Sequence, residues 1–224
     1  MNKYFGASVV ILALFLLIAA MVSPKVGFNN ASNNSPVSRA DSTAFLEVNN
    51  SHSHSLNKLM IWSTNYGREI FWPIVIILLF VFGGWTGRKT AVVMAISMLV
   101  LIPLGELAKD IVAKPRPEIP KTDFLIPADK DYGFPSGHAV IVSAGAALTL
   151  ALFRGTPRKL AVSITLAIEA AVVCISRVYV GGHYPLDVIG GILLGVGVSF
   201  IFVGLQKRIE YLMVPVINRI VKRP

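Results

Sequence analysis

The sequence predicts an all-α protein, an integral membrane bundle of six transmembrane helices. Of its 224 residues, 54% are hydrophobic and only 15% are charged, whereas a typical soluble domain has about 25% charged residues. The mean hydropathy is +0.65. The basic residues, which give a net charge of +9, collect at the ends of apolar runs. That placement is typical of membrane topology and argues against nucleic acid as a partner.

The N-terminal third begins with an apolar run, residues 4–22, that follows Lys3. The run is long for the apolar region of a signal peptide, where about 7–15 residues are usual. Small residues near its end leave cleavage open as an alternative, but we interpret the run as a retained transmembrane helix. Residues 23–70 are the most polar part of the chain and predict an extracytoplasmic loop. Within it, the apolar spacing of residues 56–62 predicts a short amphipathic helix on the membrane.

Five further apolar runs predict the remaining spans, at residues 71–85, 90–107, 138–153, 160–176 and 187–205. Residues 87–89, Gly-Arg-Lys, are expected to form a tight basic turn. Pro103 is expected to kink or break the third span, because proline removes a helix hydrogen bond. In the last span, Gly191 and Gly195 are four residues apart and predict close helix packing.

Six spans place both chain termini on the same side of the membrane. The short turns after the second and fourth spans, together with a basic tail at residues 206–224, are rich in Lys and Arg. The positive-inside rule therefore assigns them to the cytoplasm. The loops at 23–70, 108–137 and 177–186 then face outwards. We expect a single domain, residues 1–224, in the cell membrane, with an outward-facing active site on the extracytoplasmic side.

Three short clusters between residues 109 and 187 carry the candidate site residues. These are Lys109 and Arg116, then Ser136, Gly137 and His138, and finally Arg177, His183 and Asp187. Fixed cations neutralise phosphoryl oxygens, and a helix that begins at Gly137 under a Ser136 cap adds backbone N–H donors. His183 and Asp187 are four residues apart, so the carboxylate can orient the imidazole. The set favours a phosphate ester as substrate.

Three other lysines near these clusters are interpreted differently. Lys114, Lys121 and Lys130 lie close to a predicted membrane boundary. Their ammonium groups are expected to extend to the membrane surface without a role in the site.

The three clusters together resemble the three-part signature of the type 2 phosphatidic acid phosphatase family. The first part is Lys109, six residues and Arg116-Pro117, and the second is Pro135-Ser136-Gly137-His138. The third is Ser176-Arg177, five residues, His183, three residues and Asp187. Every signature position is filled at the family's spacing, and the six-span layout resembles the integral-membrane branch.

The resemblance implies a mechanism without a metal or other cofactor. His183, oriented by Asp187, attacks phosphorus and forms a phosphohistidine. His138 protonates the departing group and then acts as the base that activates water. The phosphoryl oxygens are held by Lys109, Arg116, Ser136, Gly137 and Arg177.

These features predict a membrane-embedded phosphatase or diphosphatase that hydrolyses a phosphomonoester or diphosphate of a lipid. The expected partners are the bilayer and a lipid phosphate: a polyprenyl diphosphate, phosphatidic acid or phosphatidylglycerol phosphate. A lipid phosphotransferase, and a non-catalytic lipid-binding or transport protein on the same scaffold, remain open as alternatives. The signature also resembles that of vanadate-dependent haloperoxidases, but those are soluble and the six apolar runs argue against that activity.

Overall fold

The computed structural model describes residues 3–25, 35–118, 125–127 and 129–220, except for the side chains of 216–220. In these ranges all regular secondary structure is helical, as predicted. The helices are α1 (Lys3–Val22), α2 (Pro36–Asn49), α3 (His54–Tyr66), α4 (Phe71–Phe82), α5 (Gly84–Val112), α6 (Gly137–Leu152), α7 (Pro157–Tyr179) and α8 (Pro185–Ile220). The basic segment after residue 206 continues α8 as far as Ile220.

The outer surface of the bundle is that of a membrane protein. Helices α1, α5, α7 and α8 are long and apolar enough to cross a bilayer. Helices α3 and α4 meet the same criterion only as a pair, bent by 63° at their break, and α6 is apolar but shorter. Large apolar side chains such as Val9, Phe82 and Leu99 are 68%, 79% and 71% exposed. Such a surface is stable against lipid, so the chain is a multi-pass membrane protein.

Helix α6 lies at the centre of the bundle, packed against α5, α7 and α8. The predicted close packing at Gly191 and Gly195 is confirmed. A Cβ atom at Gly195 would lie 2.3 Å from the carbonyl oxygen of Val140, and one at Gly191 would lie 2.7 Å from that of Ser136. On the other side, a Cβ at Gly145 would meet the ring of Trp72 at 2.1 Å. These contacts leave α6 no room to shift, which fixes its N-terminus.

Near α5 the structure corrects one local prediction and narrows another. The chain turns at Gly83 and Gly84 rather than at residues 87–89, because Gly84 adopts a φ of +62° that favours glycine. Gly87 lies inside α5, where a Cβ would come within 2.4 Å of the carbonyl oxygen of Leu79 in α4. Of the kink or break expected at Pro103, the break is absent, since α5 is continuous from Gly84 to Val112.

The polar segment 23–70 contains two helices where one was predicted. Helix α3 contains the amphipathic helix predicted at residues 56–62 and is longer at both ends, whereas α2 was missed. Ser35 caps α2 by accepting a hydrogen bond from the N–H of Ser38 at 3.0 Å, and Pro36 occupies the first turn. Phe45 and Asp41 of α2 are buried, and the helix packs against α7 and α8. Residues 26–34 lie outside the described residues.

Candidate active site

Four helix ends converge on the predicted site. Lys109 lies in the last turn of α5, His138 in the first turn of α6, Arg177 in the last turn of α7, and Asp187 in the first turn of α8. A cavity of about 690 Å³ opens between these ends, and its walls include six predicted site residues: Lys109, Arg116, Gly137, His138, Arg177 and His183. The other two, Ser136 and Asp187, are fully buried. The structure therefore brings the three sequence clusters together.

His183 is buried beside Asp187, with its Nδ1 atom 3.5 Å from Oδ2 of the carboxylate. The same Oδ2 atom accepts a hydrogen bond from the N–H of Tyr184 at 2.9 Å. Nη1 of Arg116 donates to Nε2 of His183 at 3.1 Å. Because a guanidinium only donates, Nε2 carries the lone pair and Nδ1 carries the proton that faces Asp187. Burial, opposed in part by Asp187, lowers the pKa of His183 to about 4, so the ring is neutral at pH 7.

His138 is held by helix α3. Its Nε2 atom lies 3.0 Å from the carbonyl oxygen of Thr64. A carbonyl oxygen only accepts, so Nε2 of His138 carries the proton. The hydroxyl of Thr64 in turn accepts a hydrogen bond from Nη1 of Arg177 at 2.6 Å. One residue of the polar segment thus orients two predicted site residues, a role that the sequence analysis missed.

Two carboxylates from the loop before α6 lie against the predicted phosphate-binding cations. Asp131 is 2.5 Å from Nζ of Lys109 and 2.5 Å from Nη2 of Arg116. Asp129 is 3.2 Å from Nη1 of Arg116 and 3.1 Å from Nη2 of Arg177. Partial burial opposes ionisation of Asp131, but the hydrogen bonds from Lys109 and Arg116 hold its pKa at about 2. The three cations therefore surround a space that already accommodates anionic oxygens.

The structure contradicts the interpretation of Lys114 as a membrane-surface lysine. Its side chain is buried, with Nζ 2.6 Å from Oδ1 of Asp187 and 2.7 Å from Oδ2 of Asp41. The other oxygen of Asp41 accepts the N–H of Leu186 at 2.9 Å. Burial lowers the pKa of Lys114, but the two carboxylates outweigh it and hold the pKa above its ordinary value. A signal was available, because Lys114 and Arg116 are two apart in a stiff, proline-rich segment and can face the same side.

The structure describes only one of the other two lysines that were interpreted in this way. Lys130 is exposed, and Lys121 lies outside the described residues.

Arg68 is a further cation at the cavity, beside Lys109, Arg116, Lys130 and Arg177, and the sequence analysis also missed it. It lies in the break between α3 and α4, and its Nη1 atom is 3.2 Å from the position that a Cβ on Gly137 would take. Beside it an apolar groove of about 650 Å³ runs between α4, α5 and α6, past Trp72, Met98 and Ile141. Polar cavity and apolar groove share part of their walls, including Arg68 and Gly137.

Comparisons with known proteins agree with this arrangement. Residues 86–210 match the model of the PAP2 superfamily. An undecaprenyl-diphosphatase of Sulfolobus acidocaldarius is 37% identical over 95% of this chain and 99% of its own length. An undecaprenyl-diphosphatase of Bacillus subtilis is 29% identical over 67% of this chain and 75% of its own. The crystal structure of a transmembrane PAP2 type phosphatidylglycerolphosphate phosphatase from Bacillus subtilis superposes with a TM-score of 0.69, at 26% identity, over 90% of this chain and 96% of that one.

A helical membrane fold with paired histidines and clustered cations at its helix ends, together with these relatives, defines a membrane-embedded lipid phosphatase or diphosphatase. The chain belongs to the PAP2 superfamily, as its three-part signature predicted. The family match does not extend to α2 and α3, which supply Asp41 and Thr64 to the site.

Proposed function

We propose that this protein releases the terminal phosphate of a polyprenyl diphosphate through a phosphohistidine on His183. The observation that supports this most directly is the junction of a polar, cation-lined cavity with an apolar groove of similar volume, about 690 and 650 Å³. One lipid can place its anionic head in the first and its chain in the second. Two relatives carry the name undecaprenyl-diphosphatase, which favours a diphosphate substrate. Phosphatidylglycerolphosphate, named for the structural neighbour, is the second candidate.

The first step starts at Nε2 of His183, the nitrogen with the lone pair. Nε2 attacks the terminal phosphorus, the bond from phosphorus to the bridging oxygen breaks, and the electron pair leaves with that oxygen. Arg116 gives up its hydrogen bond to Nε2 and donates to a phosphoryl oxygen. Asp187 stabilises the positive charge that the imidazole gains. His138 enters this step as the imidazolium: its Nε2–H stays on the carbonyl oxygen of Thr64, and the second proton, on Nδ1, passes to the departing oxygen.

The second step hydrolyses the phosphohistidine. His138, now neutral, accepts a proton at Nδ1 from a water molecule, whose oxygen attacks phosphorus. The bond between phosphorus and Nε2 breaks, the electron pair returns to His183, and inorganic phosphate departs. Throughout, Lys109 and Arg177 neutralise phosphoryl oxygens, while the free N–H groups of the first turn of α6 donate to them.

Ser136 fits the same role as a donor to a phosphoryl oxygen. Its hydroxyl is buried and has no hydrogen-bond partner within the described part of the chain. A buried hydroxyl without a partner is costly, so a bound phosphate that accepts its hydrogen bond gains affinity.

The site is proposed to face the extracytoplasmic side, with six spans formed by α1, the bent α3–α4 pair, α5, α6, α7 and α8. The ends of the helices opposite the site carry the basic residues Arg88, Lys89, Arg154, Arg158 and Lys159. The positive-inside rule assigns that end to the cytoplasm. In a Cys174→Ala background, an impermeant thiol reagent added to intact cells should label Lys130→Cys but not Arg154→Cys. The reverse labelling would overturn the orientation.

The deciding experiment measures phosphate release by the detergent-purified protein in excess EDTA. A C55 polyprenyl diphosphate, phosphatidic acid and phosphatidylglycerol phosphate are compared. We expect the diphosphate to be preferred, and we expect His183→Ala to lose at least about a thousandfold in kcat. His54→Ala, which changes an exposed histidine at the start of α3, is the matched control and should retain activity.

The same assay separates the alternatives. Phosphorylation of an added alcohol in place of phosphate release would identify a phosphotransferase. Lipid binding without turnover would identify a non-catalytic protein. Full activity in a folded His183→Ala variant would refute the assignment of the nucleophile.

A further inference from the structure

Arg68 occupies a position that differs from those of the other site cations. Lys109, Arg116 and Arg177 contact the carboxylates of Asp129 or Asp131. The hydrogen-bond partner of Arg68 within the described residues is Glu69, its neighbour in sequence, whose side chain is 60% exposed. A pair between two solvent-accessible side chains contributes little stability and exchanges readily. The Arg68 guanidinium is therefore available to an anionic ligand.

The break between α3 and α4 determines where this guanidinium lies. The two helices are bent by 63° at the break, and Arg68 follows directly on the cap of α3 at Gly67. From there Nη1 reaches Gly137, with Nζ of Lys109 4.0 Å from the same Cβ position. Two cations thus flank the N-terminus of α6. Lys109 is buried, whereas the Arg68 side chain is 30% exposed and lies where the polar cavity meets the apolar groove.

A lipid diphosphate must place its two phosphates in series along this path. The terminal phosphate lies at His183, within reach of Lys109, Arg116 and Arg177. The apolar chain lies in the groove, so the lipid-linked phosphate falls at the junction between the two. A lipid monophosphate has only its ester oxygen and the start of its chain at that point.

We propose that Arg68 forms a second phosphate subsite, which binds the lipid-linked phosphate of a diphosphate substrate and gives the enzyme its preference for diphosphates over monophosphates. This inference rests on the proposed phosphatase activity of the same site. During the first step the bond between the terminal phosphorus and the bridging oxygen breaks. The electron pair moves to the lipid-linked phosphate, which leaves as a monophosphate, and Arg68 neutralises the charge that develops there.

The test compares Arg68→Gln with the wild-type protein on two soluble substrates that share one chain, farnesyl diphosphate and farnesyl monophosphate. We expect kcat/KM for the diphosphate to fall by about 10- to 100-fold, the range for loss of a charge-assisted hydrogen bond. The value for the monophosphate should change by less than about threefold, so the preference between substrates collapses. Arg68→Lys should restore part of the preference, because it keeps the charge but loses the two-pronged geometry.

Two controls separate a subsite from a structural role. Arg88→Gln removes a guanidinium from the N-terminal end of α5, which is opposite the site, and there Nε of Arg88 donates to the carbonyl oxygen of Phe80. This variant should leave kcat/KM for both farnesyl substrates unchanged. In the variant Arg68→Gln, inhibition by inorganic pyrophosphate should weaken, while inhibition by inorganic phosphate should not. Gel filtration in detergent establishes that each variant is folded.

The outcomes distinguish this inference from the activity on which it rests. Equal losses on both substrates would place Arg68 at the reacting phosphate and overturn the subsite, as would no loss on either. In both cases wild-type phosphate release would still support the proposed function. A wild-type protein that hydrolyses neither substrate would overturn both.

Discussion

Lys114→Met tests whether the buried carboxylates of the site depend on a single lysine. Nζ of Lys114 lies 2.6 Å from Asp187 and 2.7 Å from Asp41. Both carboxylates are almost inaccessible, at 0% and 6% exposure. Methionine retains the length of the side chain but leaves two buried negative charges without their shared cation. Removal of one partner from a buried ion pair typically costs about 3–5 kcal/mol. We expect a loss of that size in the free energy of unfolding at pH 7.

The double variant Lys114→Met/Asp41→Asn isolates the electrostatic contribution. It removes one of the two stranded charges while retaining the shape of the cluster. Part of the lost stability should return, and the coupling between the two substitutions should lie within about 0.5–3 kcal/mol. The free energy of unfolding is measured by denaturant titration of the detergent-solubilised wild-type protein, both single variants and the double variant.

The single variant Lys114→Met should also change the pKa of His183. Lys114 partly neutralises Asp187, whose carboxylate lies 3.5 Å from Nδ1 of His183. Without Lys114, Asp187 favours the imidazolium more strongly, so the pKa of His183 rises from its value of about 4. The acid limb of the kcat/KM profile should therefore move to higher pH. An unchanged free energy of unfolding together with an unchanged pH profile would refute a positioning role for Lys114.

Two further predictions concern the cavity itself. Because burial lowers the pKa of His183 to about 4, kcat/KM should be independent of this group above that pH and should fall as the pH drops through it; an acid limb near pH 6.5, the value for an exposed histidine, would contradict the buried neutral ring. Asp131→Asn should lower the inhibition constant of inorganic phosphate by about two- to fivefold, because a half-exposed carboxylate no longer competes for Lys109 and Arg116. A weaker inhibition by phosphate in that variant would show that Asp131 supports anion binding and does not compete with it.

The residues that could be predicted from the sequence are those whose interactions depend on short separations along the chain. His183 and Asp187 are four residues apart, and Ser136 directly precedes the helix that begins at Gly137, although its side chain does not make the predicted capping hydrogen bond. Such spacings act through local helix geometry, which can be derived without a fold. Gly191 and Gly195 were predictable for the same reason, because small residues one turn apart define a face for close packing.

The residues that the sequence analysis missed act across long separations. The contacts of Lys114 with Asp41 and with Asp187 each span 73 residues, and the contact of Arg177 with Thr64 spans 113. The periodicity of apolar residues in the sequence gives no information about contacts between residues so far apart. The polar composition of segment 23–70 predicted a solvated loop, whereas four of its polar residues, Thr64, Asn65, Arg68 and Glu69, line the polar cavity. Asp41 is buried because it has Lys114 as a partner, which only the tertiary structure provides.

Two parts of the chain contribute to the site: the segment that matches the PAP2 superfamily and the helices that precede it. In the proposed mechanism the reacting phosphate meets residues between 109 and 187, all within the segment that matches the PAP2 superfamily. Helices α2 and α3 precede that segment and supply Asp41 and Thr64, while Arg68 follows directly after α3. The proposed transfer to His183 needs the same local geometry whatever lipid carries the phosphate, whereas in that proposal the lipid-linked group extends away from the reacting atom towards α3 and α4. We therefore expect residues that select the substrate to lie outside the catalytic motifs, as Arg68 does.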